Sequence, residues 1–318
     1  MKNKYMMAIL LTALSAAGCT IDERPELPEE RVTDLKIIVT PGEQQNTYLI
    51  RTNRTDVIAF WDLGNGNKAS GVNEVLAEYP FPGNYTVSLE AYGVNGKTNS
   101  VSVKLAVTTQ NLDLLDDPMY EYIAGEIGGD GKTWVLDSLR NKHLDLLNPN
   151  NVTESWWGWS PLAKSASKLY NDKATFILNS EKGSAFEYDN GGQSTTQDNE
   201  ASGMAFIGDG TWKGPYEIIG GDYVVTVTPP KNMGWSLSQT GGRYYITFPS
   251  LSSGHGGYLF YFMSWDTQYE VRAISETHMK VFTWTPNNDS GTSLRALYLI
   301  TPGTPSGDDP IEWEWSFD

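Results

Sequence analysis

The sequence predicts an all-β protein built from two β-sandwiches in series, the second larger than the first. Short runs of alternating apolar and polar residues recur along the chain between turns rich in Gly, Asn and Pro, which is the pattern of half-buried strands. No amphipathic helix of useful length interrupts them. Aromatic residues make up 12% of the chain, with 11 Trp and 17 Tyr, more than an ordinary core demands. That excess suits thick sandwich cores or surfaces on which ligands stack.

The N-terminus has the layout of a secretory signal peptide. Two lysines precede an apolar run over residues 6–14, and four small residues follow before Cys19. A cysteine in this position resembles the bacterial lipobox, in which the thiol receives a diacylglyceryl group and becomes the first residue of the mature protein. We therefore expect residues 1–18 to be a signal peptide and Cys19 to be lipidated. The alternative is a buried free thiol.

Residues 19–31 are acidic and contain prolines but no apolar period, which predicts a flexible tether. Asp22 and Glu23 resemble the signal that sends Bacteroidetes lipoproteins to the outer face of the outer membrane. The alternative is a tether that its charge keeps soluble. No other apolar stretch approaches the roughly 20 residues of a membrane helix. We therefore expect a protein of the outer membrane that faces the cell exterior and contacts the membrane through its lipid anchor only.

The chain carries 23 basic and 39 acidic residues, a net charge of −16. Nucleic acids and anionic membrane surfaces bind clusters of Lys and Arg, so this balance excludes both as partners, whereas neutral ligands such as sugars remain compatible. Because the only cysteine is expected to be lipidated, no disulfide staples the fold. No cofactor is expected, except that turn oxygens at Asp189, Asp209 and Asp222 suit a structural calcium ion. The alternative for these acids is ordinary solvated turns.

The first sandwich is expected over residues 32–108. Its clearest strands are residues 36–40, 48–51, 57–61, 85–91 and 101–107. Residues 61–66 (Trp-Asp-Leu-Gly-Asn-Gly) and 82–87 (Pro-Gly-Asn-Tyr-Thr-Val) resemble two motifs of the polycystic kidney disease (PKD) domain, an immunoglobulin-like sandwich. In this reading Trp61 fills the core, and Gly64 allows positive φ in the turn. Such domains usually act as spacers, so the resemblance implies a structural role.

Residues 109–131 are rich in Asp, Asn and Gly and predict a linker with one helical turn near residues 119–123. The β pattern then resumes, so residues 132–318 are expected to form the second sandwich, of jelly-roll type. Its strand candidates are residues 174–178, 223–228, 244–248, 258–265, 269–274, 279–284 and 294–301, with a final alternating strand over residues 311–317.

A catalytic site is not expected. The three histidines are far apart in sequence and lack the spacing of a helical zinc pair. Glu187 and Asp189 would share one face of a strand, as the carboxylates of laminarinase-like jelly-roll hydrolases do. Gly192 stands where the second catalytic carboxylate of that pattern belongs. A glycoside hydrolase that uses Glu187 and Asp189 is therefore the enzymatic alternative.

The sharpest local feature is a tryptophan cluster. Trp156, Trp157 and Trp159 lie within four residues and cannot all face one sandwich core. Pyranose rings stack on indole faces while their hydroxyls seek polar side chains, so exposed tryptophans here predict a ligand-binding site for glycans. The alternative is a loop whose tryptophans fold back and cap the sandwich. Trp235, in an expected loop, is a second exposed candidate. The tryptophans expected in the core are Trp134, Trp212, Trp265 and Trp284.

A wider resemblance covers nearly the whole mature chain. After the lipoprotein signal and the PKD-like motifs come Trp-Val-Leu-Asp at 134–137, Trp-Trp at 156–157, Ser-Pro at 160–161, Leu-Tyr-Asn-Asp at 169–172 and Tyr-Glu-Val-Arg at 269–272. This combination resembles the surface glycan-binding lipoproteins of Bacteroidetes polysaccharide-utilisation loci, some of which bind β-glucans. The resemblance implies non-catalytic binding of a polysaccharide or oligosaccharide, with β-glucan the first expectation, and capture for an outer-membrane glycan transporter complex. A further alternative is a structural surface adhesin in which all tryptophans are core.

Overall fold

The computed structural model describes residues 32–93, 98–197, 216–219, 222–226, 229, 231, 233–248, 258–260, 262–263, 268–287 and 291–307. Within these ranges the chain is nearly all β, with 23 strands and one short α-helix, and the predicted all-β class is confirmed. The expected signal peptide, Cys19 and the tether lie outside the described residues, as does the predicted strand over residues 311–317.

The described residues up to Val107 form two antiparallel sheets. Their strands are β1 (Ile37–Pro41), β2 (Thr47–Thr52), β3 (Ile58–Asp62), β4 (Lys68–Ser70), β5 (Glu74–Glu78), β6 (Gly83–Tyr92) and β7 (Thr98–Val107). One sheet has the order β1-β2-β5 and the other β4-β3-β6-β7, and apolar side chains from both form one core. In β3, Ala59 and Trp61 are buried while Ile58 and Phe60 are exposed, which is the period of two expected of a strand with one buried face.

The turn after β3 has the geometry that the motif predicts. A carboxylate oxygen of Asp62 accepts a hydrogen bond from the backbone N–H of Gly64, whose φ is +74°. A Cβ at Gly64 would lie 2.6 Å from the carbonyl oxygen of Thr86 in β6, so only glycine fits there. Trp61 is buried, and its Nε1 donates to the carbonyl of Val72 at 2.8 Å. These contacts give the motif residues structural roles.

A capped helix joins the N-terminal part to the rest of the chain. A 3-10 turn at Leu112–Leu115 is followed by α1 (Pro118–Ala124). Asp117 caps α1 by accepting from the backbone N–H of Met119 at 2.9 Å, and proline at the first helical position has no N–H to satisfy. Met119 and Ile123 are buried in the larger core. The predicted helical turn is confirmed, with one residue more at each end.

The C-terminal part is dominated by one antiparallel sheet of eleven strands. The strands beyond α1 are β8 (Lys132–Leu136), β9 (Leu144–Asn148), β10 (Asn151–Gly158), β11 (Lys173–Asn179), β12 (Gly183–Asp189), β13 (Gln193–Gln197), β14 (Tyr216–Ile219), β15 (Asp222–Thr226), β16 (Met233–Gly234), β17 (Ser236–Thr240), β18 (Arg243–Thr247), β19 (Tyr258–Leu259), β20 (Phe262–Met263), β21 (Gln268–Ile274), β22 (His278–Asn287) and β23 (Gly291–Ile300). The order in the large sheet is β16-β12-β11-β8-β23-β22-β21-β18-β17; β9 also pairs with β23, and β10 pairs with β9. Because a single residue separates the two end strands β16 and β17, the sheet curls into a nearly closed barrel.

Smaller elements complete the C-terminal part. A separate sheet has the order β13-β15-β14, and two 3-10 turns, Ser165–Ser167 and Leu169–Asn171, lie between β10 and β11. The prediction of one strand over residues 258–265 is wrong, because β19 and β20 form a hairpin. The chain reverses at Phe260, whose φ of +63° lies in the left-handed region and ends the extended backbone.

The N-terminal part and the barrel pack against each other. Phe81, in the loop between β5 and β6, is 2% exposed and belongs to the core of the barrel, together with Phe176 and Trp235. The hydroxyl of Tyr244 in β18 donates to a carboxylate oxygen of Asp117 at 2.7 Å and ties the junction to the barrel.

Candidate functional site

Two adjacent indoles on β10 form an exposed aromatic surface, called here the indole pair. Trp156 and Trp157 are 52% and 51% exposed. Ser155 lies opposite Leu147 of β9 and Trp157 opposite Leu146, so two residues of β10 stand against one of β9 at this point. Such a β-bulge breaks the strict alternation of a strand and re-aims its side chains, which lets consecutive tryptophans both reach solvent.

Trp159 supports the indole pair from inside the protein. It is 2% exposed, so the prediction that it contributes to the ligand-binding surface is wrong. Its backbone N–H donates to the carbonyl of Leu144, and its own carbonyl accepts from the N–H of Lys142, which keeps the residue in line with β9 and directs the indole into the core. The rings of Trp157 and Trp159 meet edge to face, 6.4 Å apart at 86°.

A buried histidine fixes the segment behind these tryptophans. The Nδ1 of His143 lies 2.8 Å from the carbonyl of Arg140, and because a carbonyl only accepts, Nδ1 carries the proton. Nε2 then accepts from the hydroxyl of Tyr170 at 2.9 Å, and that hydroxyl oxygen accepts in turn from the backbone N–H of Lys164 at 3.0 Å. Burial lowers the pKa of His143, which favours the neutral ring that this network requires.

Polar groups lie on the same two strands as the indole pair. The hydroxyl of Ser155 donates to Asp145 at 2.6 Å, and burial is the main cause that raises the pKa of that carboxyl. The amide of Asn148 donates to the carboxylate of Glu154 at 2.8 Å. A Cβ at Gly158 would lie 3.1 Å from Asp145 and still closer to Lys142, so glycine lets these two side chains approach the strand. The pair therefore lies beside groups that can donate and accept hydrogen bonds.

The other predicted tryptophan positions divide between core and surface. Trp235 is fully buried, so the prediction of a second exposed candidate is wrong. It is the single residue between β16 and β17, where the sheet closes, and its Nε1 donates to the carbonyl of Ile177 at 3.3 Å. Trp134 is buried as predicted, whereas Trp284, expected in the core, is 38% exposed near the end of β22. Trp212 and Trp265 lie outside the described residues.

The carboxylates of the enzymatic alternative have other partners. Glu187 accepts from the ammonium group of Lys182 at 2.7 Å, in an ion pair that is partly open to solvent. Asp189 is exposed and accepts from the backbone N–H of Gly191, which stabilises its own turn. Alternation along β12 places both on the face opposite to Tyr188, as the sequence predicts.

Sequence reasoning missed one buried acid beside that strand. Asp172 is almost fully buried and accepts from the hydroxyl of Tyr188 at 2.7 Å. Burial raises the pKa of its carboxyl to about 7, and the nearby charge of Asp189 acts in the same direction. No local signal marks this acid, because its burial depends on strands that come later in the chain.

In the part of the chain that the structure describes, no group of three or more His, Cys, Asp or Glu side chains could hold a metal ion. Of the predicted calcium ligands, Asp189 is described, while Asp209 and the side chain of Asp222 lie outside that part. No helix among the described residues has the length and apolar character needed to cross a bilayer.

No protein-family profile matches this chain, and no curated protein matches it. Among solved structures, the PKD1 domain of Vibrio anguillarum Epp is similar at 22% identity and a TM-score of 0.21, covering 24% of this chain and 92% of that domain. The PKD1 domain from the Vibrio cholerae metalloprotease PrtV is similar at 18% identity and a TM-score of 0.21, covering 24% of this chain and 95% of that domain. At this level of likeness, the description of the N-terminal part as a β-sandwich rests on its own strand order and core.

Proposed function

We propose that this protein is a non-catalytic carbohydrate-binding protein of the cell surface that captures a polysaccharide or oligosaccharide through the indole pair. The observation that carries the proposal is the pair itself. Trp156 and Trp157 are consecutive, each about half exposed, placed on a bulged edge strand and backed by buried Trp159. The edge-to-face contact with Trp159 holds the ring of Trp157 before any ligand arrives, which lowers the ordering cost of binding.

The chemistry of the surface favours a sugar. Exposed indole area is unfavourable in water, and a flat C–H face of a pyranose covers it well. Glu154 is exposed and Ser155 half-buried on the same strand as the indole pair, and their oxygens suit the hydroxyls at the rim of such a ring.

The location and the ligand identity follow from the sequence and its resemblance. In this proposal, lipidated Cys19 anchors the protein in the outer membrane, and the acids after it direct the protein to the cell exterior. β-Glucan is the first ligand to test, and an outer-membrane glycan transporter complex is the expected partner that takes up the captured chain.

The two alternatives have less support. In the hydrolase alternative Glu187 would act as a free carboxylate, but Lys182 pairs with it and Gly192 supplies no second acid to the pattern. In the adhesin alternative all tryptophans are core, which conflicts with the exposure of Trp156, Trp157 and Trp284.

Affinity electrophoresis against soluble polysaccharides, combined with a reducing-sugar assay, tests the proposal. We expect one or more neutral polysaccharides, β-glucans first, to retard the protein without release of new reducing ends. The matched control is the Trp156→Ala/Trp157→Ala variant, which should be retarded much less than the parent protein. New reducing ends would contradict the non-catalytic role, and equal retardation of the variant would remove the indole pair as the site.

A further inference from the structure

A cavity lies between the N-terminal part and the barrel. Its volume is about 490 Å³, within the range of small-molecule sites in proteins. One wall consists of the turn between β3 and β4 and the loop before β6. The other consists of the turn between β11 and β12 and the junction of β16 and β17, called here the seam. The cavity is therefore built by both parts of the molecule and exists only because they pack together.

The seam side of the cavity contains an unsatisfied hydroxyl. Ser236, the first residue of β17, lines the cavity and is 7% exposed. Its Oγ is covered from solvent and has no hydrogen-bond partner among the described residues, so no hydrogen bond opposes its rotation toward the cavity. A buried hydroxyl without a partner is destabilising and is rare in folded proteins. Tyr120 of α1 lines the same cavity, and burial raises the pKa of its hydroxyl to about 12, so this group stays protonated and can donate.

The wall around Ser236 is closely packed. Gly66 has φ of +94°, and a Cβ there would lie 3.4 Å from the backbone of Trp235 and 3.5 Å from the Cβ of Ser236. Trp235 itself is fully buried beneath the seam. The turn that contains Gly66 therefore packs closely against Trp235 and Ser236 at the seam. This packing fixes the shape of the site before a ligand binds.

The lining selects a neutral, hydroxylated ligand. Charged side chains of both signs line the cavity, so neither sign strongly dominates. The three acids are Asp62, Glu78 and Glu181, and the two bases are Lys68 and Lys182. Between them lie apolar surfaces of prolines and aromatic rings. A pyranose combines an apolar C–H face with hydroxyls that donate and accept, and it fits this mixture better than an ion or a hydrocarbon does.

We propose that this cavity is a second carbohydrate site, which binds one to three neutral pyranose units and pairs one sugar hydroxyl with Ser236 once rotation about its Cα–Cβ bond brings the Oγ into the cavity. This proposal rests on the proposed function only because it assumes a ligand of the same class. The residues of the cavity are distinct from the indole pair. In the strand order, β23 stands four positions from both β16 and β17, and β9 and β10 extend from β23. The two sites therefore lie on opposite sides of the barrel and could hold two stretches of polysaccharide, with a gain in avidity.

Calorimetric titration in the Trp156→Ala/Trp157→Ala background isolates this site. The probes are the β-1,3-glucose, β-1,4-glucose, β-1,4-mannose and β-1,4-xylose trisaccharides. We expect at least one to bind saturably in that background and Ser236→Ala to weaken its binding roughly 2- to 12-fold, the range for one hydrogen bond. Tyr120→Phe should weaken the same trisaccharide. Ser238→Ala, on the same strand but outside the cavity, is the matched control and should leave the affinity unchanged.

The outcomes separate the two sites. Loss of all trisaccharide binding in the double-tryptophan background, or equal affinities of Ser236→Ala and Ser238→Ala, overturns the cavity site and leaves the indole pair standing. Unchanged binding of polysaccharide by the double-tryptophan variant, together with a loss on Ser236→Ala, supports the cavity and overturns the indole pair. The Ser236→Ala variant should melt no lower than its parent, because it removes a hydroxyl that has no partner. A saturable response to Ca²⁺ that Ser236→Ala abolishes would assign the cavity to a cation and overturn the proposal.

Discussion

Replacing the three clustered tryptophans one at a time should separate binding from stability. A fully covered indole buries roughly 150–250 Å², so a half-exposed one leaves about 75–125 Å² open to a ligand. A sugar ring that stacks on one face covers about half of that area, and at about 25 cal/mol per Å² the contact contributes about 1–1.5 kcal/mol. Trp156→Ala and Trp157→Ala should therefore each weaken glycan binding roughly 5- to 13-fold.

Trp159→Ala should behave in the opposite way. Its indole is buried, and truncating a buried tryptophan costs about 3–5 kcal/mol of unfolding free energy, or roughly 6–20 °C in melting temperature for a chain part of this size. Trp157→Ala should lower the melting temperature slightly more than Trp156→Ala, because it loses the edge-to-face contact with Trp159. Thermal denaturation and affinity electrophoresis on the same preparations measure both quantities. If Trp156→Ala and Trp157→Ala keep full affinity, or destabilise as much as Trp159→Ala, the assignment of roles is wrong.

Three further results are expected. Gly64→Ala should destabilise the fold more than Gly71→Ala. Both glycines have φ near +74°, but only Gly64 has backbone atoms within 3 Å of the added Cβ. Similar melting temperatures of the two variants would show that this steric contact contributes nothing. The carboxyl of Asp172 has a pKa of about 7 in the folded protein and about 4 in the unfolded chain. Its contribution to the stability of the folded state is therefore complete below about pH 4 and is lost as pH rises through about 7. Asp172→Asn should therefore flatten the fall in melting temperature between pH 5 and pH 8, and an unchanged slope would refute this. Cys19→Ala should release the protein from the membrane fraction, while retention would indicate another anchor.

Local patterns in the sequence predicted the features that depend on local structure. The alternation in β3 and the two glycines after Trp61 predict one buried strand face and a tight turn, and both occur. The short strands β4 and β5 were missed, because β4 has one apolar residue and the three apolar residues of β5 are consecutive, so neither shows a period of two. Such strands are specified by their neighbours in the sheet rather than by their own composition.

The sequence likewise predicted only part of the site, because contacts with other strands decide the rest. An excess of tryptophan at 156–159 indicates that some indoles must be exposed, but the bulge in β10 and the pairing with β9 decide which ones. Trp235 lies between short strands and reads as a loop residue. Its burial follows from the closure of the barrel, which brings residues 177 and 235 together across 58 positions of sequence. A contact between residues so far apart along the chain leaves no recognisable pattern in a single sequence.

The burial of Phe81 in the barrel core has a mechanical consequence. For the two parts to bend apart, this phenyl ring must leave the core, which costs about 1.5–3 kcal/mol, so a bent form would make up less than about 8% of the molecules. In the proposed function, a bound polysaccharide that pulls on the barrel would load this contact, and the force would reach the N-terminal strands without bending the junction between the two parts.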